Sequence, residues 1–165
     1  MANPQYGQNK FDDQADRQLG EIVQIKPSSD DTIASPTKTL TASDCGNIYI
    51  CNISANTAAF VLPDALAAKG GIFTFFLDIN SEAEASKDLM VASAATSSFI
   101  MGCGLDAGAV HDTTDADDQI IFDTSAGNGN AGDMLRIVSD GLHWYILSAR
   151  ALAANAFVSG TATRS

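Results

Sequence analysis

Short apolar segments alternate with clusters of turn-forming residues from Thr39 onward. Each segment has the length of a β-strand and is rich in the β-branched and aromatic residues that fit a pleated surface. About eight segments have this character: NIYICNI, AAFVLP, GIFTFFLDI, DLMVAS, SFIMGC, QIIFD, DMLRIVS and HWYILSA. Many short strands with Gly-rich turns at near-regular spacing predict an all-β fold. We expect an antiparallel, jelly-roll-like β-sandwich of about eight strands.

The last two segments predict a β-hairpin. Asp140-Gly141 lies between them and suits the positive φ angles of a tight turn. Alternation places Trp144, Ile146 and Ser148 on one face of the returning strand. Trp144 is the only Trp of the chain, and we interpret it as a core anchor. A ligand-stacking or partner-contact role for Trp144 stays open.

The chain before residue 39 has a different pattern, with three of the four prolines among polar residues. A segment with apolar residues only at intervals cannot enclose a core of its own. We therefore predict an extended N-terminal arm over 1–38, a β-sandwich domain over 39–150 and a C-terminal tail over 151–165. The arm either lies across a neighbouring subunit or folds back on its own domain. Its predicted contact residues are Tyr6, Phe11, Leu19, Ile22 and Ile25.

The charge balance restricts the possible partners. The chain carries 20 acidic and 9 basic residues, a net charge of −11. A nucleic-acid-binding protein must neutralise phosphates with Lys and Arg, so we expect no nucleic-acid partner. An anionic membrane surface is disfavoured for the same reason, and no apolar run approaches the ~20 residues of a membrane span. The N-terminus lacks the pattern of a signal peptide, so we expect synthesis in the host cytoplasm.

Candidate catalytic residues are few. The two histidines, His111 and His143, accompany no Ser or Cys in a nucleophile motif. No Gly-rich stretch follows a strand and opens a helix, as a phosphate-binding loop does. Cys45, Cys51 and Cys103 have no CxxC spacing, and we interpret them as small buried apolar side chains. We expect neither catalysis nor a cofactor.

An acidic stretch leads into the segment QIIFD and includes its last residue, so that several carboxylates lie within a dozen residues. It lacks the residue order of an EF-hand loop, so we favour a solvated acidic loop and assign no metal ligand. A bound cation stays open as the alternative. The carboxylates concerned are Asp112, Asp115, Asp117, Asp118 and Asp123.

Two parts of the domain resemble structural proteins of tailed bacteriophages. The first is LTASDCG (40–46), followed by an apolar strand, a second strand that ends in Leu62-Pro63, and a Gly before an aromatic strand. The second is SDGLHWY (139–145). The resemblance covers Lys38 to Ala149 and is found in head decoration (cement) proteins and in tail-fibre modules. Cys45 departs from the small residue that is usual before the Gly.

The resemblance implies a homotrimeric capsid decoration protein on the outer surface of the phage head. Such a protein would bind the major capsid protein and stabilise the shell by bridging capsomers, with the arm as the contacting segment. Its location would be the virion. A tail-fibre or baseplate receptor-binding module is the alternative from the same resemblance. A Ca²⁺-dependent, lectin-like carbohydrate-binding domain is a further alternative, with the cation on the loop 112–123.

Overall fold

The computed structural model describes residues 22–25, 37–53, 57–78, 88–95, 97–114, 116–123, 130–154 and 156–160. Within these residues the chain forms strands and one short 3₁₀ turn, Ala42–Asp44. The strands are β1 (Ile22–Ile25), β2 (Thr37–Thr39), β3 (Ile48–Cys51), β4 (Ala58–Val61), β5 (Ile72–Leu77), β6 (Asp88–Ala92), β7 (Ile100–Met101), β8 (Cys103–Asp106), β9 (Ala109–Asp112), β10 (Gln119–Asp123), β11 (Met134–Ser139), β12 (Trp144–Ala151) and β13 (Phe157–Gly160). The described residues include no helix with the length and apolar character of a membrane span.

The strands form two sheets that pack face to face. Sheet A has the order β1-β3-β5-β11-β12-β8-β9, and β7 pairs with the start of β12. Sheet B has the order β13-β10-β6-β4-β2. The predicted all-β sandwich is confirmed. Its pairing is mixed rather than antiparallel throughout, because successive strands of the first half are joined in parallel.

The first half of the chain winds between the sheets. Strands β1, β3 and β5 lie side by side in sheet A, and β2, β4 and β6 lie side by side in sheet B. Ile22 pairs with Ile48, and Ile48 pairs with Thr74, so the same sequence interval separates successive strands of sheet A. Parallel neighbours require such crossover connections, and here the opposite sheet supplies them. We call β1 to β6 the wound half.

The second half adds antiparallel strands to this core. In sheet A, β11 pairs with β5 and β12 pairs with β11. In sheet B, β10 pairs with β6 and β13 pairs with β10. Strand β13 falls within the range 151–165 and β1 within the range 1–38, so segments at both ends of the chain contribute strands to the sandwich. We call β7 to β13 the antiparallel half.

Aromatic side chains of the wound half fill the centre of the sandwich. Tyr49 and Phe75 stack in sheet A with ring centroids 5.3 Å apart. Phe60 of sheet B contacts both rings, at 5.3 Å and 5.0 Å. Burying each of these side chains contributes roughly 1.5–3 kcal/mol to folding, and the offset ring pairs add to that. This cluster is therefore the centre of the core that the sequence pattern predicts.

The predicted hairpin is present as β11 and β12. Ser139 pairs with Trp144, and Gly141 has φ +100° in the connecting turn. The Asp140 carboxylate accepts hydrogen bonds from the backbone N–H groups of Leu142 and His143, at 2.7 Å and 2.8 Å. The pairing register shifts between Arg136 and Ile137. This bulge breaks the simple alternation, so Ser148 is exposed whereas Trp144 is buried.

Candidate interaction surface

The outer face of sheet A presents apolar side chains to solvent along rows that cross the sheet. In the longest row, each residue pairs with the next across neighbouring strands. That row consists of Ile50, Phe76, Met134, Arg150, Leu105 and Val110. Leu105 is 49% exposed and Val110 is 61% exposed. The row shows that the outer face of this sheet is apolar over most of its width.

A second row lies beside the first and is more polar. It joins Ile48, Thr74, Arg136 and Ser148. A third row is apolar again and joins Ile72, Val138, Tyr145 and Met101. The second row therefore separates two apolar rows, and exposed apolar side chains grouped in this way are found at interaction sites. We call the three rows together the sheet A face.

A groove of about 1310 Å³ lies on the sheet A face at the end where β3 and β5 begin. Outward-facing residues of β3, β5 and β11 line it, and two turns flank it, over 42–46 and 67–71. The Gly46 N–H donates to the carbonyl of Ile72 at 2.7 Å, which fixes the first turn against β5. The carbonyl of Ser139 accepts from the Gly70 N–H at 2.8 Å, which fixes the second turn against β11.

Gly71 allows the two flanking turns to meet. A methyl group at this position would overlap the Cys45 sulfur and would lie 2.8 Å from the carbonyl oxygen of Ala68. Asp64 starts the second turn, because its carboxylate accepts hydrogen bonds from the N–H groups of Leu66 and Ala67. The sequence DALAAKGG therefore forms a capped turn whose Gly71 packs directly on Cys45.

The charges on this face differ in sign from those of the whole chain. Lys69 and Arg136 are among the described residues that line the groove, and none of these is acidic. Arg150 lies in the adjacent row, and both arginines are exposed. Within the described part of the chain, no carboxylate lies within ion-pair distance of either arginine. In a chain of net charge −11, this face is a local basic and apolar surface.

The predicted contact residues of the arm fall into two groups. Tyr6, Phe11 and Leu19 lie outside the described residues. Ile22 and Ile25 are the first and last residues of β1, where they pair with Ile48 and Cys51. Strand β1 (IVQI) is thus the last strand of sheet A, beside the groove-lining residue Ile48.

Trp144 is fully buried. Its ring lies 5.7 Å from Phe73 at an angle of 54°, and the indole N–H has no hydrogen-bond partner among the described residues. The neighbouring His143 ring stacks on Phe99 at 5.4 Å, and its Nδ1 accepts a hydrogen bond from the Phe99 N–H at 3.3 Å. Trp144 therefore does not contribute to the exposed face.

The acidic stretch is only partly solvated. Asp117 and Asp118 are buried, in contrast to the predicted loop, whereas Asp112 is exposed. The Asp117 carboxylate accepts hydrogen bonds from the Thr114 N–H at 2.6 Å and from the Ser159 hydroxyl at 2.8 Å. These bonds give Asp117 a structural role, tying the stretch to β13. Among the described residues, no three His, Cys, Asp or Glu side chains are arranged to hold a metal ion.

Two further buried carboxylates hold backbone segments of the antiparallel half. Asp133 accepts hydrogen bonds from the N–H groups of Asn130 and Leu152, at 2.9 Å and 3.0 Å. Burial raises the pKa of Asp133, and those two hydrogen bonds oppose the shift. Asp106 accepts from the Phe157 N–H at 3.4 Å and lies 3.5 Å from Nε2 of His111. Both carboxylates serve the packing of strand ends.

The cysteines have three different environments. Cys51 is buried in the core, Cys45 is half-buried in the groove and Cys103 is exposed on β8. The prediction that Cys103 is buried is therefore wrong, because β8 turns this side chain outward. Burial raises the pKa of the Cys45 thiol, and the nearby Asp44 carboxylate raises it further.

The comparisons with known proteins add no functional assignment. No protein-family model matches the chain, and neither the curated proteins nor the solved structures give a significant match.

Sequence reasoning missed the sheet A face, although the chain contains a signal for it. Segments such as IYIC and IFTFFL are apolar at nearly every position rather than at alternate positions. Continuous apolar runs are typical of strands with apolar environments on both faces. The core accounts for the apolar side chains on the inner face of these strands. The apolar side chains on their outer face therefore indicate a second contact surface.

Proposed function

We propose that the protein is a capsid decoration (cement) protein of a tailed bacteriophage. It binds the outer surface of the head as a homotrimer, with the major capsid protein as its partner. By bridging capsomers it adds contact area and stabilises the shell, and its role is structural rather than catalytic.

One observation carries this proposal: the motifs of the phage resemblance meet at one end of the sandwich. The turn of LTASDCG is bonded to β5 through Gly46 and Ile72. The Ser139 hydroxyl of SDGLHWY donates to the carbonyl of Ala65 at 2.6 Å, and the Ser139 N–H donates to the carbonyl of Gly71 at 3.1 Å. Motifs far apart in sequence thus form one hydrogen-bonded unit, which supports their interpretation as a shared architecture.

The surface of the molecule is also suited to protein contacts. The sheet A face is broad, apolar and basic within an acidic chain, as a binding face for a protein surface would be. Several such contacts linked through a trimer would raise the apparent affinity for a repetitive shell by effective concentration. This supports a role that depends on many simultaneous contacts.

In this proposal the N-terminal arm extends from β1 at the edge of sheet A. Because β1 is the last strand in the order of sheet A, one of its edges faces no other described strand. The edge strand of a sheet can accept a strand from a partner by main-chain hydrogen bonds. The first 21 residues precede this edge in the sequence, and in this proposal they contact a neighbouring protein.

The copy number of the protein in particles is the direct test. Quantitative mass spectrometry of purified particles of the encoding virus would give its abundance relative to the major capsid protein. We expect an abundance comparable to that of the capsid protein. A trace amount would favour the tail-fibre or baseplate alternative, and absence from particles would refute the proposal.

A truncation separates the contribution of the arm from that of the sandwich. Deletion of residues 1–21 retains β1 and should leave the circular dichroism spectrum of the sandwich unchanged, while binding to undecorated particles is lost. Deletion of residues 161–165 is the matched control and should leave binding intact. A protein without residues 1–21 that still decorates particles would show that the arm is not the capsid contact.

A further inference from the structure

No described segment of the chain occupies the groove on the sheet A face. Its floor includes Ile48, Phe76 and Met134, which are half-buried. Its basic groups, Lys69 and Arg136, have no described carboxylate within ion-pair distance. The matching occupant is therefore a segment that carries both apolar and acidic side chains.

The chain itself contains such a segment. Residues 11–19 read FDDQADRQL, with Phe11 and Leu19 at the ends and Asp12, Asp13 and Asp16 between them. The apolar ends match the apolar floor of the groove, and the carboxylates match its cations. A carboxylate beside an arginine gains charge-assisted hydrogen bonds in partly desolvated surroundings.

The position of β1 brings this segment to the groove. Ile22 is the first residue of β1 and pairs with Ile48, which lines the groove. An extended chain spans about 3.3 Å per residue, so the eleven residues from Ile22 back to Phe11 reach roughly 35 Å. Neighbouring strands lie about 4.8 Å apart, so this length exceeds the distance from β1 to β12.

We propose that residues 11–19 dock in the groove on the sheet A face of their own chain. Phe11 and Leu19 pack on the apolar floor, and the carboxylates between them face Arg136 and Lys69. Direct covalent continuity with β1 gives the segment a local concentration in the millimolar range, so even modest contacts keep the groove occupied. The inference concerns the free protein and does not rest on the proposed function. A capsid that binds the same segment would compete with the groove.

The native cysteines provide a test in the full-length chain. In the variant Asp16→Cys, mild oxidation should join residue 16 to Cys45, which lines the groove, within one chain. Cys103 is the internal control, because it is exposed on β8 whereas Cys45 is half-buried. An undocked arm would react with the more accessible Cys103. Peptide mapping by mass spectrometry identifies the partner, and a non-reducing gel separates intrachain from interchain products.

Charge reversal tests the electrostatic part of the inference. Arg136→Glu in the Asp16→Cys chain should slow formation of the bond to Cys45 by about threefold to fivefold, the upper part of the range that one partly exposed ion pair can produce. Lys38→Glu makes the same change of charge on sheet B and should leave the rate within about twofold. Equal rates in the two variants would contradict the pairing with Arg136.

A second measurement leaves every residue of the sandwich unchanged. In the chain with Phe11→Ser and Leu19→Ser, alkylation of Cys45 should accelerate several-fold, while alkylation of Cys103 stays constant. The proposal is overturned if residue 16 joins mainly Cys103, if the products are mainly interchain, or if alkylation of Cys45 does not respond to the loss of Phe11 and Leu19.

Discussion

The wound half and the antiparallel half of the sandwich are stabilised in different ways. In the wound half, the rings of Tyr49, Phe60, Phe73 and Phe75 are stacked or tilted against one another between the sheets. In the antiparallel half, four buried carboxylates lie among the strand ends: Asp106, Asp117, Asp118 and Asp133. One core thus combines a centre of packed aromatic rings with buried carboxylates that hold the connecting segments.

The reason lies in how each half connects its strands. Successive strands of the wound half lie alternately in sheet A and sheet B. Their inward side chains therefore meet at the centre of the sandwich. The antiparallel half adds the hairpin β8–β9 and the strand β13 at the far edges of the sheets, where backbone N–H groups of the connecting segments need acceptors. A buried N–H without a partner is costly, and short Asp side chains supply the acceptor.

Loss of a ring at the centre of the wound half should lower the stability more than any other change considered. Phe75→Ala removes a side chain that contacts Tyr49, Phe60 and Phe73, and should lower the free energy of unfolding by ~3–5 kcal/mol. Chemical denaturation followed by circular dichroism measures it. Leu66→Ala is the control, since Leu66 is 71% exposed, and should change the stability by less than ~0.5 kcal/mol. Similar losses in both variants would contradict the central role of the aromatic cluster.

Loss of a buried carboxylate in the antiparallel half should lower the stability by a smaller amount. Asp133→Ala leaves the N–H groups of Asn130 and Leu152 without their acceptor, and should lower the free energy of unfolding by ~1–3 kcal/mol. Asp140→Ala is the matched control, because the exposed Asp140 also accepts two backbone hydrogen bonds but water can replace it. Denaturation curves should show a smaller loss for Asp140→Ala, and the reverse order would contradict the importance of burial.

The sequence pattern predicted the strands that carry large apolar side chains. The segment QIIFD coincides with β10, and GIFTFFLDI contains β5. Strands with few apolar residues were missed: β2, β8, β9 and β13. In the turn between β8 and β9, Ala107 and Gly108 both have positive φ, 45° and 89°. Two such residues in succession are typical of a two-residue hairpin turn.

The winding and the groove could not be predicted in the same way. Alternation within a strand indicates which side chains are buried but not which strand is the neighbour, and β3 pairs with β5 across a crossover through β4. The groove depends on that pairing, because Ile48, Thr74 and Arg136 share a row only once β3, β5 and β11 are adjacent. The bulge at Arg136 likewise arises from the pairing of β11 with β12.

The buried Asp133 carboxylate of the antiparallel half should also make the stability depend on pH. Burial raises the pKa of Asp133, so the folded state holds this proton more tightly than the unfolded state does. Asp133 therefore contributes to the free energy of unfolding at a pH below the ordinary carboxyl pKa. This contribution is lost as the pH rises through the raised pKa of the folded state. The wild-type chain should therefore lose stability relative to Asp133→Asn as the pH increases from about 3 to about 7. Urea denaturation at several pH values measures this, and parallel curves for the two proteins would contradict it.

The reactivity of the Cys51 thiol reports whether the two halves unfold together. Its change should be the smallest of the effects considered. Cys51 is fully buried in the wound half and burial raises the pKa of its thiol, so it reacts only after the sandwich opens. The halves share contacts, since Phe73 packs on Trp144 and β10 pairs with β6. A single domain of this size usually unfolds as one unit. Asp133→Ala should then accelerate alkylation of Cys51 in proportion to its loss of stability, although the two residues lie in different halves. If Cys51 remains as protected as in the wild-type chain while Asp133→Ala lowers the overall stability, the antiparallel half opens on its own and the two halves are separate cooperative units.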